Sequence, residues 1–590
     1  MGPKRGSPRL AALRQSLAEA SRSPLSWVLA AVLVLHAVGL GWGLPASDGW
    51  DNDGVAPRDF LAGLVETFSP GRFYTYPPVH LAVLGVVTAP VTLLALAHAP
   101  TLAPADVVRE ILRVPYMTAI AYAARLVSLA MSLGIVWAVA KMTEELRGKK
   151  AGVCAAAFVA VNVSFTYYAH TTNLDVPYLF WGCLALLALL RAVVRHEPRR
   201  LRRWGIFAAL AVGTKDQAYA LFLLSVPAAL GLWLWLDPRA RASARLVLRE
   251  AALGVASAFG LLCVVDGPLY NPTGFRARLH FLLGPASQPY AEYSDDWTGR
   301  GEVVRDLFLH FDRSSPAAFA VLVVLGLVLV VLGVVLLARD DRRRPAPLVA
   351  GLLPLLCIVS FTVAFNCLAR RTDHRFALPQ TVLAGVYGGV ALEALLFRLR
   401  WTPARWLARL PVAAAFAVAL YAAADVDANL LLDPRYDAEA WLRQHVGPGE
   451  SIETYGLNVY MPRFPGIAHV TRVGPRPEDH RSPMPGVEEQ LAPYGDASAR
   501  APAYIVVSEG WAWRYLLDPD EGLPRGHQRP PTQRETESDA ASSAYFRALT
   551  GGDYPPYRLV HVAEWTSRLW PSLDIHASTS REIWIFARTP

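Results

Sequence analysis

Two aspartates one residue apart, Asp51 and Asp53, stand in the stretch Asp48-Gly49-Trp50-Asp51-Asn52-Asp53-Gly54, just past the first long apolar run. A carboxylate at a membrane surface has three common jobs: general base, metal ligand or helix cap. Asp53 precedes Gly54-Val55-Ala56-Pro57, so it is also placed to turn the chain into a helix over Arg58–Phe68. A third carboxylate, Asp175, lies in Tyr167-Tyr168-Ala169-His170-Thr171-Thr172-Asn173-Leu174-Asp175-Val176-Pro177. Its alternative is to cap the next helix, with Pro177 in the first turn. The two roles are compatible, since a capping Asp keeps an outward-facing oxygen.

Basic residues accompany these acids. Lys215 lies in Gly213-Thr214-Lys215-Asp216-Gln217, and Arg370, Arg371, His374 and Arg375 lie in Arg370-Arg371-Thr372-Asp373-His374-Arg375-Phe376-Ala377-Leu378-Pro379. Local pairing with Asp216 and Asp373 is one account of them. An anion site is the other: a phosphate suits the bidentate fork of Arg and the point charge of Lys. The pyrophosphate or phosphodiester of a lipid headgroup is the natural ligand. Carboxylates and a phosphate site on one face suit group transfer from a lipid phosphate carrier. The carboxylate deprotonates the acceptor and the cations stabilise the leaving phosphate.

Whether these residues share a face depends on topology. Of 590 residues, 53% are hydrophobic and only 18% charged, and mean hydropathy is +0.28. Apolar runs of about 18–22 residues recur, the length that crosses ~30 Å of hydrocarbon. Lys and Arg cluster in five short loops: Lys141–Lys150, Arg195–Arg203, Asp237–Glu250, Arg339–Arg344 and Arg398–Arg409. The net charge of +8 is therefore a positive-inside signal, and it does not point to nucleic acid. The basic segment Met1–Arg22 places the N-terminus in the cytoplasm. A cleaved signal ending near Ala46-Ser47 is the alternative, and it leaves Asp48 onward outside all the same.

Eleven spans follow: Leu25–Leu44, Met117–Val139, Ala151–Tyr168, Val176–Val194, Trp204–Gly213, Ala218–Leu236, Ala251–Val265, Ala317–Leu337, Ala346–Leu368, Phe376–Phe397 and Leu407–Ala424. The apolar run Val79–Leu96 is left over. Counted as a crossing it would put all five basic loops outside, so it reads as a helix in the outer interface, begun by Tyr74-Thr75-Tyr76-Pro77-Pro78. Trp204–Gly213 is too short alone and must borrow from the basic loop before it.

The expected fold is an α-helical polytopic membrane protein with a small C-terminal α/β domain. Residues 1–24 are cytoplasmic, 25–424 form the transmembrane domain and 425–590 the extracytoplasmic domain. That last domain shows an amphipathic helix at Ala438–His445 and strand-like runs at Ser451–Tyr455, Tyr504–Ser508 and Glu582–Ala587. Gly474–Pro485 and Gly522–Ser543 read as loops. All five cysteines fall in apolar runs, so the exported parts have no disulfide framework.

At these residues the chain resembles the C-type glycosyltransferase superfamily. Within it the likeness is to the protein O-mannosyltransferase and lipid A aminoarabinose transferase group. The resemblance rests on Trp50-Asp51-Asn52-Asp53 after the first helix, Tyr76-Pro77-Pro78-Val79-His80, Tyr167–Pro177, Thr214-Lys215 and His374–Pro379, in that order and on one side. It implies a polyprenyl-phosphate sugar donor, inversion at the anomeric carbon and a first-loop Asp as base. The usual motif there is Asp-Glu; this chain has Asp53-Gly54, with Asp51 two residues earlier. Asp53 is favoured as base because the helix after it begins at a similar offset, and Asp51 is the alternative.

Asp175 joins these two as a catalytic candidate. Substrate contacts are expected from Lys215, Arg371, His374, Arg375, Tyr76 and His80. No cofactor is required by the motifs. Asp53, Asp175 and His170 would form a divalent metal site if they converge, with Asp51 beside them. The expected partners are the lipid-linked donor, membrane lipid and an acceptor that is a protein, a lipid or a glycan. The expected location is the plasma (inner) membrane, with the active site outside. A lipid-linked oligosaccharide flippase or polymerase is the competing reading. A flippase needs charged residues lining its spans, and only Arg125 and Glu393 stand clearly inside one.

Overall fold

The computed structural model describes residues 23–45, 50–51, 54–55, 57–284, 290–340, 346–399, 402–480, 486–516, 540–565, 579 and 581–589. A bundle of apolar helices carries, at its C-terminal end, a six-stranded sheet. Prolines open many of the helices, among them Pro24–Ala37, Pro78–His98, Pro104–Ile111, Pro272–Leu283 and Pro434–His445. Proline is favoured there because its missing N–H would have no partner in a first turn.

Among the described residues, eight helices are long and apolar enough to cross a membrane, and a bent pair raises this to nine. Eleven crossings were expected, and the differences have local causes. The first helix is only Pro24–Ala37, 14 residues. The expected span Ala151–Tyr168 is broken into Lys149–Ala160 and Val163–Ala169, bent by 74°. Asn162 caps the second piece, its Oδ1 accepting from the Phe165 N–H at 2.8 Å. Pro78–His98 passes the length and composition test for a span, where an interfacial helix was expected.

The short expected span Trp204–Gly213 is the helix Arg200–Val212, which does borrow from the basic loop. It covers about 20 Å at 1.5 Å per residue and packs closely on Ala244–Val265. A Cβ at Gly205 would lie 2.0 Å from the Gly254 carbonyl oxygen, so only glycine permits this approach.

The basic loops gather at one end of the bundle. Arg195 Nη2 lies 2.5 Å and Arg191 Nε 2.8 Å from Glu145 Oε1. Arg202 forks onto Glu250 at 2.5 and 2.8 Å. Lys150 sits over the Phe397 ring at 5.0 Å. Four of the five basic loops, or residues at their edges, are joined by these contacts.

The motif-bearing turns gather at the other end. Arg125, a charge inside a long helix, donates to the carbonyls of Leu40 at 2.6 Å and Trp42 at 2.7 Å. It thereby holds the chain leaving the first helix. Val55 N–H donates to Thr172 O at 3.3 Å, and Thr172 Oγ1 to Val55 O at 2.9 Å. Val79 N–H donates to Gly213 O at 2.9 Å.

Arg278, 1% exposed, bonds Asp266 at 3.2 Å and also Asp216, and its guanidinium lies 5.0 Å from the Tyr74 ring centre. Asn271 ties the same loop to the first: its Oδ1 accepts from Gly71 N–H at 2.9 Å, and its Nδ2 donates to Arg72 O at 2.6 Å.

The C-terminal sheet has strands β1 (Ser451–Tyr455), β2 (His469–Gly474), β3 (Val487–Leu491), β4 (Tyr504–Ser508), β5 (Tyr557–Ala563) and β6 (Ile583–Arg588), ordered β3-β2-β1-β4-β6-β5. The first four are parallel and β6 runs antiparallel to both its neighbours. The three expected strands are β1, β4 and β6. The helix Pro434–His445 packs Ala438 and Leu442 against Ile452, Val470 and Ile585 on one face. Tyr455, Trp511, Tyr515 and Phe546 fill the other.

The expected loop Gly474–Pro485 starts inside β2 and holds a short 3₁₀ turn at Pro477–His480. Of the expected loop Gly522–Ser543, residues 540–543 begin the helix Ala540–Gly551, and the rest lies outside the described residues. All five cysteines are free thiols.

Two predictions follow from this layout. A cysteine probe at exposed Ser498 is labelled by an impermeant reagent from outside, and one at Lys149 is not; the reverse result inverts the bundle. The second concerns the Arg278 cluster. Burial pushes the Asp266 carboxyl up to about 7, with Asp216 adding to the rise and Arg278 opposing it.

Unfolded, an Asp titrates near ~3.9. Between roughly pH 4 and 7 the folded chain therefore holds a proton that the unfolded chain has lost, and stability falls as pH rises through that window. In detergent, Asp266→Asn removes this slope and melts above the parent at pH 8. An unchanged slope would show Asp266 ionised against Arg278. Arg278→Ala leaves the Asp266 and Asp216 carboxyls without their shared guanidinium and lowers the melting temperature at neutral pH.

Candidate active site

Asp175 opens the helix Asp175–Val194, but it is not the cap. Asn173 Oδ1 accepts from the Asp175 N–H at 2.9 Å. This leaves the Asp175 carboxylate for another task. Its two oxygens take the Lys215 ammonium at 2.7 and 2.8 Å, and Gln217 Nε2 donates to Oδ1 at 3.1 Å. The Asp175 side chain is 0% and that of Lys215 17% exposed. Gln217 also donates to Tyr178 OH at 3.1 Å. Lys215 reaches this place because the helix Arg200–Val212 ends at Gly213 and the backbone turns extended at Lys215, φ −153°.

The late motif begins with a break in helical geometry. A π-helical turn, Thr362–Cys367, ends the preceding helix, and Arg370 then takes a left-handed conformation, φ 52°. Asp373 caps the next helix, its Oδ1 accepting from the His374 N–H at 2.5 Å. Asn366 braces the loop: its O accepts from Arg371 N–H at 3.2 Å, and its Nδ2 donates to Phe376 O at 3.3 Å.

Phe376 is the meeting point. Arg375 lies 4.7 Å, Arg371 4.9 Å and Lys215 5.9 Å from its ring centre. Three cations from two distant segments therefore surround one phenyl ring. Tyr290, from the second large loop, also approaches Arg371, at 5.7 Å. That loop is pinned to the motif by Glu292 N–H donating to Arg370 O at 2.9 Å and Thr372 N–H to Glu292 Oε2 at 3.1 Å. Asp373 is 3.7 Å from Arg375 Nε. Guanidinium forks and an ammonium gathered at one ring are groups able to bind an anion.

The first loop reaches the same end of the bundle. Asp51 follows the buried Trp50, and Tyr167 OH is 3.4 Å from Asp51 Oδ1. A Cβ at Gly54 would meet both Thr172 Oγ1 at 2.8 Å and Asp51 Oδ2 at 2.9 Å. The Asp51 carboxylate therefore lies against the turn that leads to Asp175. Asp53 lies outside the described residues.

Other candidates are placed differently. His374 turns inward, its ring 4.9 Å from His310 and its Nδ1 3.4 Å from Ser164 Oγ. His80 is fully buried in the first turn of Pro78–His98, and Tyr76 is partly exposed just before it.

The metal set divides among the described residues. His170 Nδ1 donates to Thr166 O at 2.7 Å and its Nε2 faces Asp427 at 3.3 Å, while Asp175 is turned to Lys215. Burial holds the His170 imidazole down to about 4. No group of three His, Cys, Asp or Glu among the described residues is placed to hold a metal ion. Sequence reasoning did not single out Gln217, Tyr178, Phe376 or Tyr290. Gln217 carried a signal through its place two residues after Lys215, and Phe376 through its place in the His374–Pro379 motif.

No curated protein matches the chain. ArnT of Cupriavidus metallidurans in the apo state is 15% identical, with 82% of this chain and 93% of that chain covered and a TM-score of 0.47. The Archaeoglobus fulgidus oligosaccharyltransferase in complex with Zn and sulfate is 12% identical over 95% of this chain and 88% of that one, TM-score 0.48. The mycobacterial arabinofuranosyltransferase AftD is 16% identical over 95% of this chain and 41% of that one, TM-score 0.40.

Residues 117–265 match the family of dolichyl-phosphate-mannose-protein mannosyltransferases. That stretch holds both the Tyr167–Pro177 turn and Thr214-Lys215. The Asp175–Lys215 pair thus lies in the part of the chain that is similar to this family.

Proposed function

We propose that this chain is a membrane glycosyltransferase that moves a sugar from a polyprenyl-phosphate donor to an acceptor hydroxyl at the outer face of the membrane, inverting the anomeric centre. The observation that carries this reading is the convergence of Lys215, Arg371 and Arg375 on Phe376, with Asp175 buried behind Lys215. Its family match spans the Asp175 and Lys215 turns.

In the proposed step, the donor phosphate sits among the three cations. The acceptor oxygen attacks the anomeric carbon as the carbon–oxygen bond to phosphate breaks. The phosphate leaves with the electron pair, and the cations hold its growing charge. The acceptor proton passes to a first-loop carboxylate, Asp53 by preference and Asp51 otherwise. Asp175 keeps the Lys215 ammonium charged and aimed. The donor sugar is a hexose, mannose being the first to try, and the acceptor is a protein, lipid or glycan. A divalent ion at Asp53, Asp175 and His170 would require Asp175 to leave Lys215, and transfer measured with and without a chelator tests it. The flippase reading is weakened by Arg125, whose bonds to the carbonyls of Leu40 and Trp42 give it a structural task.

Asp53→Asn keeps shape but cannot take a proton. We expect transfer from a labelled undecaprenyl-phosphate hexose to drop about 10²–10⁴-fold, with undecaprenyl phosphate still bound. Arg375→Ala acts on the other half of the site and weakens that binding about tenfold or more, the scale of one charge-assisted contact. If Asp53 is only a cap, Asn serves nearly as well and activity survives. Survival in Asp53→Asn with loss in Asp51→Asn moves the base to Asp51. Survival in both sinks the mechanism.

A further inference from the structure

The root of the C-terminal domain grips the residue beside Asp51. Arg435 lies over the Trp50 ring at 4.2 Å and Arg463 at 5.5 Å. Tyr436 packs its ring 4.9 Å from that of Trp50 and accepts from the Gly43 N–H at 3.0 Å. Neither guanidinium is loose. Asp433 holds Arg435 in a fork at 2.8 and 2.6 Å and also accepts from Trp42 Nε1 at 2.9 Å. Glu439 holds Arg463 at 2.7 and 2.6 Å, and Arg463 Nη1 reaches Pro45 O at 3.3 Å. The membrane side is shaped to receive the ring. Gly43, φ +69°, has Trp50 ring atoms 2.9 Å from where a Cβ would stand, so no other residue lets Trp50 seat there.

We propose that Arg435 and Arg463 clamp Trp50, so that the C-terminal domain sets the position of the first-loop carboxylates; Trp50, Arg435 and Arg463 are positioning residues for the transfer step. This rests on the function proposed above, since it gives those carboxylates a proton to take. The coupling is short. Trp50 is bonded to Asp51, whose carbonyl accepts from Gly54 N–H at 3.4 Å, and Val55 N–H then joins the Asp175 turn through Thr172 at 3.3 Å. A guanidinium is attracted to the face of an indole ring, and two of them on one ring hold it against rotation. Displacement of a reacting group by about 1 Å costs up to about 100-fold in rate. The residues proposed to hold the donor phosphate, Lys215, Arg371 and Arg375, are not among those of the clamp, so the clamp is expected to act on turnover and not on donor affinity.

The experiment uses the purified full chain with Trp50→Ala, Trp50→Phe and Arg463→Gln. Three readouts are taken: hydrogen exchange at the Gly54 and Val55 amides, affinity for undecaprenyl phosphate, and kcat and KM with the labelled undecaprenyl-phosphate hexose. In Trp50→Ala and Arg463→Gln we expect exchange at both amides to quicken about tenfold or more and kcat to fall about 10–100-fold. Donor KM and undecaprenyl phosphate affinity stay unchanged, and Trp50→Phe recovers most of the kcat. Arg463→Gln keeps the test open if Trp50→Ala does not fold. Unchanged exchange in the folded variants overturns the clamp, and so does a parallel loss of kcat, KM and melting temperature. If the parent chain binds no undecaprenyl phosphate, the proposed function fails, and the exchange measurement still decides the clamp.

Discussion

The motif-bearing end of this bundle depends on one buried charge. The Asp175 side chain is wholly inaccessible, and an ionised carboxylate taken out of water without a partner is penalised by several kcal/mol. Lys215 meets it with both oxygens engaged, and Gln217 adds a third bond. The two turns that carry these residues therefore cannot separate. Each is already tied elsewhere: Thr172 to Val55, Gly213 to Val79 and Asp216 to Arg278. One ion pair thereby links the first loop, the second large loop and the ends of two helices. Among the described candidates, Asp175 and Lys215 are thereby held together, and Asp51 lies near the same turn.

The cationic site then forms on the open side of the same pair. Phe376 offers its ring face, which attracts cations by about 0.5–1 kcal/mol each when exposed. Two carboxylates offset the cluster: Asp175 holds Lys215 at 2.7 Å, and Asp373 lies 3.7 Å from Arg375 Nε. Arg375 stands in the first turn of the helix His374–Glu393, whose N-terminal dipole disfavours positive charge, and Arg371 lies in the loop before it.

Much of this was legible in the chain. The sidedness of the basic loops predicted which turns share an end, and the contacts of Glu145 with Arg191 and Arg195, and of Arg202 with Glu250, agree with it. Lys215, Arg371 and Arg375 were picked out because positive charge on that side broke the pattern, and all three meet at one ring. The failures have physical causes. His374 sits within the late motif, but helical geometry turns it toward His310, about a hundred degrees per residue away from its neighbour's direction. The bend at Asn162 split a run whose mean hydropathy suits one span, because the mean does not register that a single Asn within it caps a new helix. Strand β3 was missed because it is an edge: Val487-Glu488-Glu489-Gln490-Leu491 has charged residues where a central strand would be apolar.

The C-terminal domain was legible as a fold and silent as a partner. Trp50 and Arg435 are far apart in the chain, and a guanidinium seated on indole leaves no local pattern. A general consideration still bears on what that contact does. Asp433, Arg435 and Glu439 are almost completely buried, and buried ion pairs replaced by apolar residues are often neutral or stabilising. A domain that merely hung from the last helix would be better fastened by leucines. Leucines slide, however, and forks onto carboxylates fix angle as well as distance. The polar root of this domain therefore serves orientation more than adhesion, and the ring that it orients stands next to Asp51.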